Sequence, residues 1–366
     1  MDKCSKFRVF NVLLVLCMAN FLLYRYFSQA GLTTLSEMVF SKATSRLTSE
    51  SSTNTSSTAH TLTNSTTATS SVQRSTDSAA NSSHNSSADL QLCPLVPPRL
   101  NGALATYKEA SSWEQIAKEN PGLQPGGRYR PPDCVARHKV AIVIPYRNRM
   151  EHLKILLKNL HPMLARQQLD YGVFVIDQAL PGKFNRAMLM NIGYVEAMKR
   201  YDYQCAVFHD VDLIPENDRN IYSCPEMPRH LSAAIDKFNY RLPYSGIYGG
   251  VSVVSKAQFE KMNGFSNMFF GWGGEDDDMA GRISHAGFKI SRYPMDIARY
   301  KMIKHSNDRG NEQNPQRFAL LKTSTQRMYT DGLNSLKYTV TEIEELPTHL
   351  RIQVLIKEDD ILKGKV

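Results

Sequence analysis

Residues 140–145, VAIVIP, form a continuous apolar run rich in β-branched side chains, the pattern of a strand buried on both faces. Working outward, residues 151–164 carry leucine and isoleucine at helical spacing, and 171–177 (YGVFVID) repeat the buried-strand pattern. A helix is expected over 186–199, started near Asn185, and a third strand over 205–209 (CAVFH). Strand, helix, strand, helix, strand predicts an α/β fold with a parallel sheet and right-handed crossovers. Near the C-terminus, 339–346 (TVTEIEEL) and 350–358 (LRIQVLIKE) alternate like strands and are expected to complete the sheet. Ligands of such sheets bind at the carboxyl ends of the strands, and CAVFH runs directly into Asp210-Val211-Asp212.

Along an extended segment, residues two apart face the same side. Asp210 and Asp212 can therefore line one site, one holding a metal while the other meets a hydroxyl. A solvated turn has the same composition, but the apolar Leu213-Ile214-Pro215 that follows argues against one. A second signal, Gly271-Trp272-Gly273-Gly274-Glu275-Asp276-Asp277-Asp278, opens a helix expected to run through Ala286. Its glycines let the backbone approach a ligand, and its Trp offers a flat face to a sugar ring. The acids occupy a first turn, where the helix dipole is expected to keep them ionised. Third comes Met302-Ile303-Lys304-His305, with His305 a candidate metal ligand and a neighbour three residues back on its face. The polar run from Ser306 to Arg317 reads as a mobile loop of the kind lids use. Arginines in Pro145-Tyr146-Arg147-Asn148-Arg149 and Phe184-Asn185-Arg186 suit a diphosphate, whose oxygens match the planar guanidinium fork. Together these signals describe a site for a metal-bound diphosphate sugar with a carboxylate opposite.

The 366 residues include 42% hydrophobic and 22% charged, which excludes a disordered, collagen-like or many-span membrane protein. A net charge of +9 is scattered without any lysine- or arginine-rich run, so nucleic acid is not an expected partner. Val9–Phe27 is an apolar run of about the 20 residues that cross a bilayer. Lys3, Lys6 and Arg8 precede it, which directs the N-terminus to the cytosol and the rest to a lumen. A cleaved signal peptide competes with this reading, but Tyr24-Arg25-Tyr26-Phe27 stands where a small-residue cleavage site would be needed. Asn11, Asn20 and the short apolar length suit a thin early-secretory membrane. From Ser41 to Ser87 the chain is mostly Ser, Thr, Ala and Asn, too poor in apolar groups to offset chain entropy. It is expected to be a disordered stem with N-glycosylation sequons at Asn54, Asn64, Asn81 and Asn85. The organisation is thus a cytoplasmic tail over 1–8, a transmembrane anchor over 9–27, a stem over 28–90 and a lumenal folded domain over 91–366. Cys93, Cys134, Cys205 and Cys224 read as two disulfides, most simply Cys93–Cys134 and Cys205–Cys224, although three pairings are possible. Zinc is disfavoured because no C-x-x-C pair occurs.

In order and spacing, Pro145–Arg149, Phe184-Asn185-Arg186-Ala187, Asp210–Pro215, Gly271–Asp278 and Asn314-Pro315-Gln316-Arg317-Phe318 resemble the β1,4-galactosyltransferase family, glycosyltransferase family 7. The resemblance runs from about Cys93 to Gly332. It implies a GT-A (Rossmann-like) catalytic domain, Mn2+ dependence and a Golgi location with a single-pass type II anchor. It further implies inverting transfer from a UDP-sugar to the 4-hydroxyl of a terminal GlcNAc on a glycoprotein or glycolipid, and it supports the two simplest disulfides. Asp212, Met302 and His305 correspond to the manganese ligands; a thioether on this cation is unusual and spacing alone would not reveal it. Asp276 corresponds to the catalytic base and Glu275 to a donor-sugar contact. The donor pocket implied comprises Pro145, Tyr146, Arg147, Asn148, Arg149, Phe184, Asn185, Arg186, Asp210, Val211, Lys237, Ile247, Gly250, Trp272 and His305. The acceptor pocket implied comprises Trp272, Gly273, Gly274, Glu275, Asp276, Asp277, Arg317 and Phe318. Residues 303–322 correspond to a long flexible loop that folds over donor and metal.

One departure bears on the substrate. In Tyr244-Ser245-Gly246-Ile247-Tyr248-Gly249-Gly250, galactose-transferring members carry Tyr where Ile247 stands. The smaller side chain leaves room for an N-acetyl group, so the resemblance points to the invertebrate β1,4-N-acetylgalactosaminyltransferase branch. The donor implied is UDP-GalNAc, with UDP-Gal as the alternative. A membrane-anchored lectin that binds GlcNAc without catalysis is the rival of another class. It would have no need of Asp212, Glu275, Asp276 and His305 together.

Overall fold

A computed structural model describes residues 90–304 and 311–363 of the chain. The anchor, the stem with its four sequons and His305 lie outside the described residues. The three expected strands are present as β1 (Lys139–Tyr146), β2 (Asp170–Gln178) and β3 (Cys205–His209). After the short helix α1 (Trp113–Glu119), the longer α2 (Met150–Arg166) and α3 (Arg186–Arg200) supply the crossovers. They cover opposite faces of the sheet. Val140, Ile142 and Ile144 pack with Leu153, Leu156, Leu157 and Leu160 of α2, while Ala141 and Val143 pack with Met188, Leu189 and Ile192 of α3. Because neither face meets water, every second residue need not be polar, hence the uninterrupted apolar run. Gly193 sets how closely α3 approaches: a Cβ there would lie 2.3 Å from Val143 Cγ1.

The sheet is mixed, which corrects the expectation of a parallel one. β1 pairs in parallel with β2 and β3, and β10 (Leu350–Leu355) in parallel with β2. Three further strands, β5 (Arg229–His230), β7 (Val251–Ser255) and β9 (Thr339–Glu345), run antiparallel to their neighbours in the order β5-β7-β3-β1-β2-β10-β9. Parallel pairing requires a long crossover, which α2 and α3 provide; β9 and β10 are joined by a short turn and can only form a hairpin. A small second sheet, β4-β8-β6, joins β4 (Leu213–Pro215) and β6 (Ala234–Ile235) through β8 (Arg299–Met302).

The remaining helices are α4 (Lys256–Lys261), α5 (Glu275–His285), α6 (Arg317–Lys322), α7 (Ser324–Arg327) and α8 (Glu358–Leu362). Helix α6 corrects the expectation of a loop through Lys322: Leu320 is buried against Met268 and Phe269, which gives the segment an apolar face to dock. Both of the simplest disulfides, Cys93–Cys134 and Cys205–Cys224, are present. Among the described residues no helix is long and apolar enough to cross a membrane.

Candidate active site

At the carboxyl end of β1, Arg147 turns toward the exit of β2. Its Nη1 donates to Gly182 O at 2.9 Å, and its guanidinium lies 5.0 Å from the Phe184 ring. Asn185 caps α3 by accepting from Met188 N–H (2.9 Å) and donates to Asn267 O (2.8 Å). Phe184 O in turn accepts from Gly271 N–H at 2.8 Å. The two arginine-bearing motifs and the glycine-rich turn, distant in sequence, thus share one edge.

Arg186 is the electrostatic centre of that edge. Its Nε donates to Asp210 Oδ1 (2.6 Å), Nη1 reaches Glu275 Oε1 (3.4 Å) and Nη2 donates to Gly250 O (3.2 Å). Gly250 O also accepts from Asp210 N–H at 3.2 Å. Every nitrogen of the Arg186 fork is engaged by the protein itself. Burial still pushes the Asp210 carboxyl up to about 6, against the pull of Arg186.

Beneath Asp210 runs a buried relay that the sequence reading missed. His209 Nδ1 donates to Asp210 O (2.8 Å), so its Nε2 accepts from the Tyr222 hydroxyl (3.1 Å), which accepts from Tyr300 (2.6 Å). Burial pushes the His209 imidazole down to about 4, consistent with this neutral form. Tyr300 stands on β8 two residues before Met302, so the relay couples the Asp210-Val211-Asp212 turn to the Met302 strand. A histidine ending an apolar strand was the available hint, since a fully buried ring must find partners. Ile303 N–H donates to Asp212 O (2.8 Å), and Met302 N–H donates to Asp236 Oδ1 (2.8 Å). Lys237 follows Asp236 on an exposed turn, and Val211 packs on the core beside Met302.

The turn Gly271–Gly274 leads into α5. Trp272 is 60% exposed although its backbone is held, with Trp272 N–H donating to Glu312 O (2.8 Å) and Trp272 O accepting from Asn314 N–H (2.9 Å). Gly271 permits this approach: a Cβ there would lie 2.5 Å from Glu312 O. Arg317 lies over Gly273 and Gly274, with its guanidinium 4.4 Å from the ring of the exposed Phe318. The expected acceptor residues therefore gather at the N-terminus of α5.

The four acids of that first turn occupy four different environments. Glu275 is pushed up to about 7 by burial and by the neighbouring Asp276, against Arg186, and its Oε2 is buried with no hydrogen-bond partner among the described residues. Asp276 is raised by burial and by Asp277. Asp277 accepts from the Tyr244 hydroxyl at 2.8 Å. Asp278, fully buried, pairs with Arg282 Nε (2.7 Å) and Arg327 Nη2 (3.3 Å). The expectation that the helix dipole keeps the acids ionised is thus corrected for Glu275, where burial outweighs it. Asp276 also closes on the ribbon that carries Ile247: a Cβ at Gly249 would lie 2.6 Å from Asp276 Oδ2.

Residues 93–225 match the model for the N-terminal region of glycosyl transferase group 7, and residues 229–306 that for the N-terminal domain of galactosyltransferase. β1,4-Galactosyltransferase 1 of Mus musculus is 53% identical over 266 residues, covering 72% of this chain and 67% of that protein. This chain belongs to glycosyltransferase family 7. The Homo sapiens counterpart is 51% identical over 272 residues, covering 74% of this chain and 68% of that protein. A variant of Drosophila β1,4-galactosyltransferase 7, crystallised with manganese, UDP-Gal and xylobiose, superposes with a TM-score of 0.52 at 27% identity, covering 60% of this chain and 94% of that one. The family 7 member described here is accordingly a glycosyltransferase with a GT-A-like α/β fold built on a mixed sheet.

Among the described residues of this glycosyltransferase, no three His, Cys, Asp or Glu side chains gather as a metal site. The expected set needs only one such group there, Asp212. The Ile303–Asp212 backbone bond brings the Met302 strand alongside it. A carboxylate beside a strand that carries a thioether is a donor set a divalent cation can use, the carboxylate being the donor that suits manganese.

Proposed function

We propose that this glycosyltransferase moves GalNAc from UDP-GalNAc to the 4-hydroxyl of a terminal β-GlcNAc with inversion, forming GalNAcβ1-4GlcNAc. The observation that carries the reading is the contact of Gly249 with Asp276, which sets a half-buried carboxylate of α5 against the ribbon two residues from Ile247. Tyr244 anchors the other end of that ribbon on Asp277, so the ribbon is tied to the first turn of α5 on both sides of Ile247. In this reading Asp276 takes the proton of the acceptor hydroxyl, and its raised affinity for that proton suits a general base. The free buried oxygen of Glu275 is offered to a sugar hydroxyl, which would satisfy it. Arg186, engaged on three sides, holds Asp210 and Glu275 in place, while Arg147 and Arg149 face the diphosphate. Trp272 covers the sugars, and Arg317 with Phe318 borders the acceptor. Asp212, Met302 and His305 would hold Mn2+, whose charge offsets that building on the UDP leaving group.

UDP-Gal is the second reading, favoured by the relatives, which are β1,4-galactosyltransferases. A competition between UDP-GalNAc and UDP-Gal on a GlcNAc-terminated acceptor, read by product mass, decides between them. GalNAc product should dominate, and Ile247→Tyr should move preference toward galactose by roughly 10–200-fold, the range of a single pocket contact. Dominant galactose product in the unaltered enzyme would return the donor to UDP-Gal.

The same reading has 9–27 as a single-pass type II anchor, 28–90 as a glycosylated stem and 91–366 as the lumenal catalytic domain in the Golgi. Lys3, Lys6 and Arg8 ahead of the apolar run support it. In microsomes carrying the full chain, a C-terminal tag should resist added protease and an N-terminal tag should not. The reverse pattern would exclude the orientation.

A further inference from the structure

We propose that Arg292 and His230 form a positioning pair that sets donor choice from behind ribbon 244–250, so that preference at the donor's C2 substituent depends on this pair as well as on Ile247. The inference rests on the reading of Ile247 as the donor-facing residue. His230 N–H donates to Ser291 O at 2.9 Å, which brings Arg292 beside the imidazole. From there Arg292 Nη2 donates to two carbonyls of the ribbon, Ser245 O (2.8 Å) and Ile247 O (2.7 Å), while Nε donates to His230 Nδ1 (3.2 Å). The last bond assigns the ring proton to Nε2, which donates to Gly249 O at 2.8 Å. Ser232 completes the support: its hydroxyl donates to Gly249 O (3.1 Å) and accepts from Val251 N–H (2.8 Å). His230 is buried, and burial together with the Arg292 charge pushes it down to about 3, in keeping with a neutral ring.

The ribbon is therefore gripped at residues 245, 247 and 249, on both sides of the Ile247 side chain. An aliphatic side chain discriminates by shape alone, so its backbone must hold when a larger or smaller sugar is offered. One guanidinium bridging two carbonyls two residues apart, backed by an imidazole on a third, supplies that resistance. Both residues bond to the ribbon's backbone and act through it.

The test measures kcat/KM for UDP-GalNAc and for UDP-Gal on the full chain, in the unaltered enzyme, Arg292→Gln, Arg292→Lys and Ile247→Tyr, with thermal unfolding and the KM for GlcNAc alongside. Arg292→Gln should move the ratio of the two specificity constants roughly 10-fold toward unity, mainly through donor KM, with the KM for GlcNAc unchanged. Arg292→Lys keeps the charge and one carbonyl contact, so its ratio should fall between; it also serves if the Gln variant does not fold. Parallel loss of both activities at an unchanged ratio would make Arg292 a support of the fold and overturn the proposal. A ratio moved by Ile247→Tyr but by neither Arg292 variant overturns this proposal alone. A ratio unmoved by Ile247→Tyr overturns the donor reading beneath it as well.

Discussion

Asp276→Asn should lower kcat by roughly 10²–10⁴-fold while leaving UDP-sugar binding near its original strength, because the amide preserves shape but cannot accept the acceptor's proton. The effect should be confined to turnover, since among the described residues Asp276 makes no ion pair that supports the fold; its tight neighbour is the bare Cα of Gly249. A pH signature should accompany it. Burial and the adjacent Asp277 raise the Asp276 carboxyl, partly opposed by Arg186, so it binds its proton above the ordinary carboxylate range. As pH falls the base becomes protonated and kcat/KM drops, on a limb displaced upward from that of an exposed aspartate. Single-turnover rates across pH, with donor affinity measured separately, check both parts. Near-normal turnover in the Asn variant, or an unchanged acidic limb, would remove Asp276 from the role of base.

The second large effect is on stability. Arg282 and Asp278 are both fully buried and meet at 2.7 Å, with Arg282 Nη1 also donating to Gly264 O (3.1 Å) and Nη2 lying 3.5 Å from Asp331. Removing one member of a buried pair strands the other's charge, which costs about 3–5 kcal/mol. Arg282→Met should therefore lower the unfolding free energy by that order, toward the smaller value because Arg327 still pairs with Asp278. Urea titration of the folded domain measures it. A loss below about 1 kcal/mol, the scale of an exposed pair, would show the cluster to be dispensable. The cluster joins α5 to α7 and Asp331, so it holds the helix whose first turn presents Glu275 and Asp276.

The contrast between these two acids shows what was legible. Gly271–Asp278 reads from sequence as a glycine turn opening an acidic helix, and that is what forms. Sequence treats the four acids as one cluster, whereas the fold gives Asp278 to Arg282 and Arg327 and Asp277 to Tyr244, and presses Asp276 against Gly249. Likewise Arg186 reads as a phosphate fork until Asp210, Glu275 and Gly250 are seen to occupy it. His230 and Arg292 carry no sequence signal, because their function is in a contact between segments that neither residue's neighbours disclose.

By itself the sequence determined the strands β1, β2 and β3, the helices between them, the acid turn at the end of β3 and the motifs that identify the family. These depend on periodicity and on residues adjacent along the chain, whose conformational preferences are local. Only the tertiary structure decided the antiparallel strands at the edges, the helical course of Arg317–Lys322, the partners of the buried Asp278 and Arg282, and the upward shift of Glu275. Those depend on desolvation and on groups brought within a few ångströms from distant parts of the chain, which no local pattern encodes.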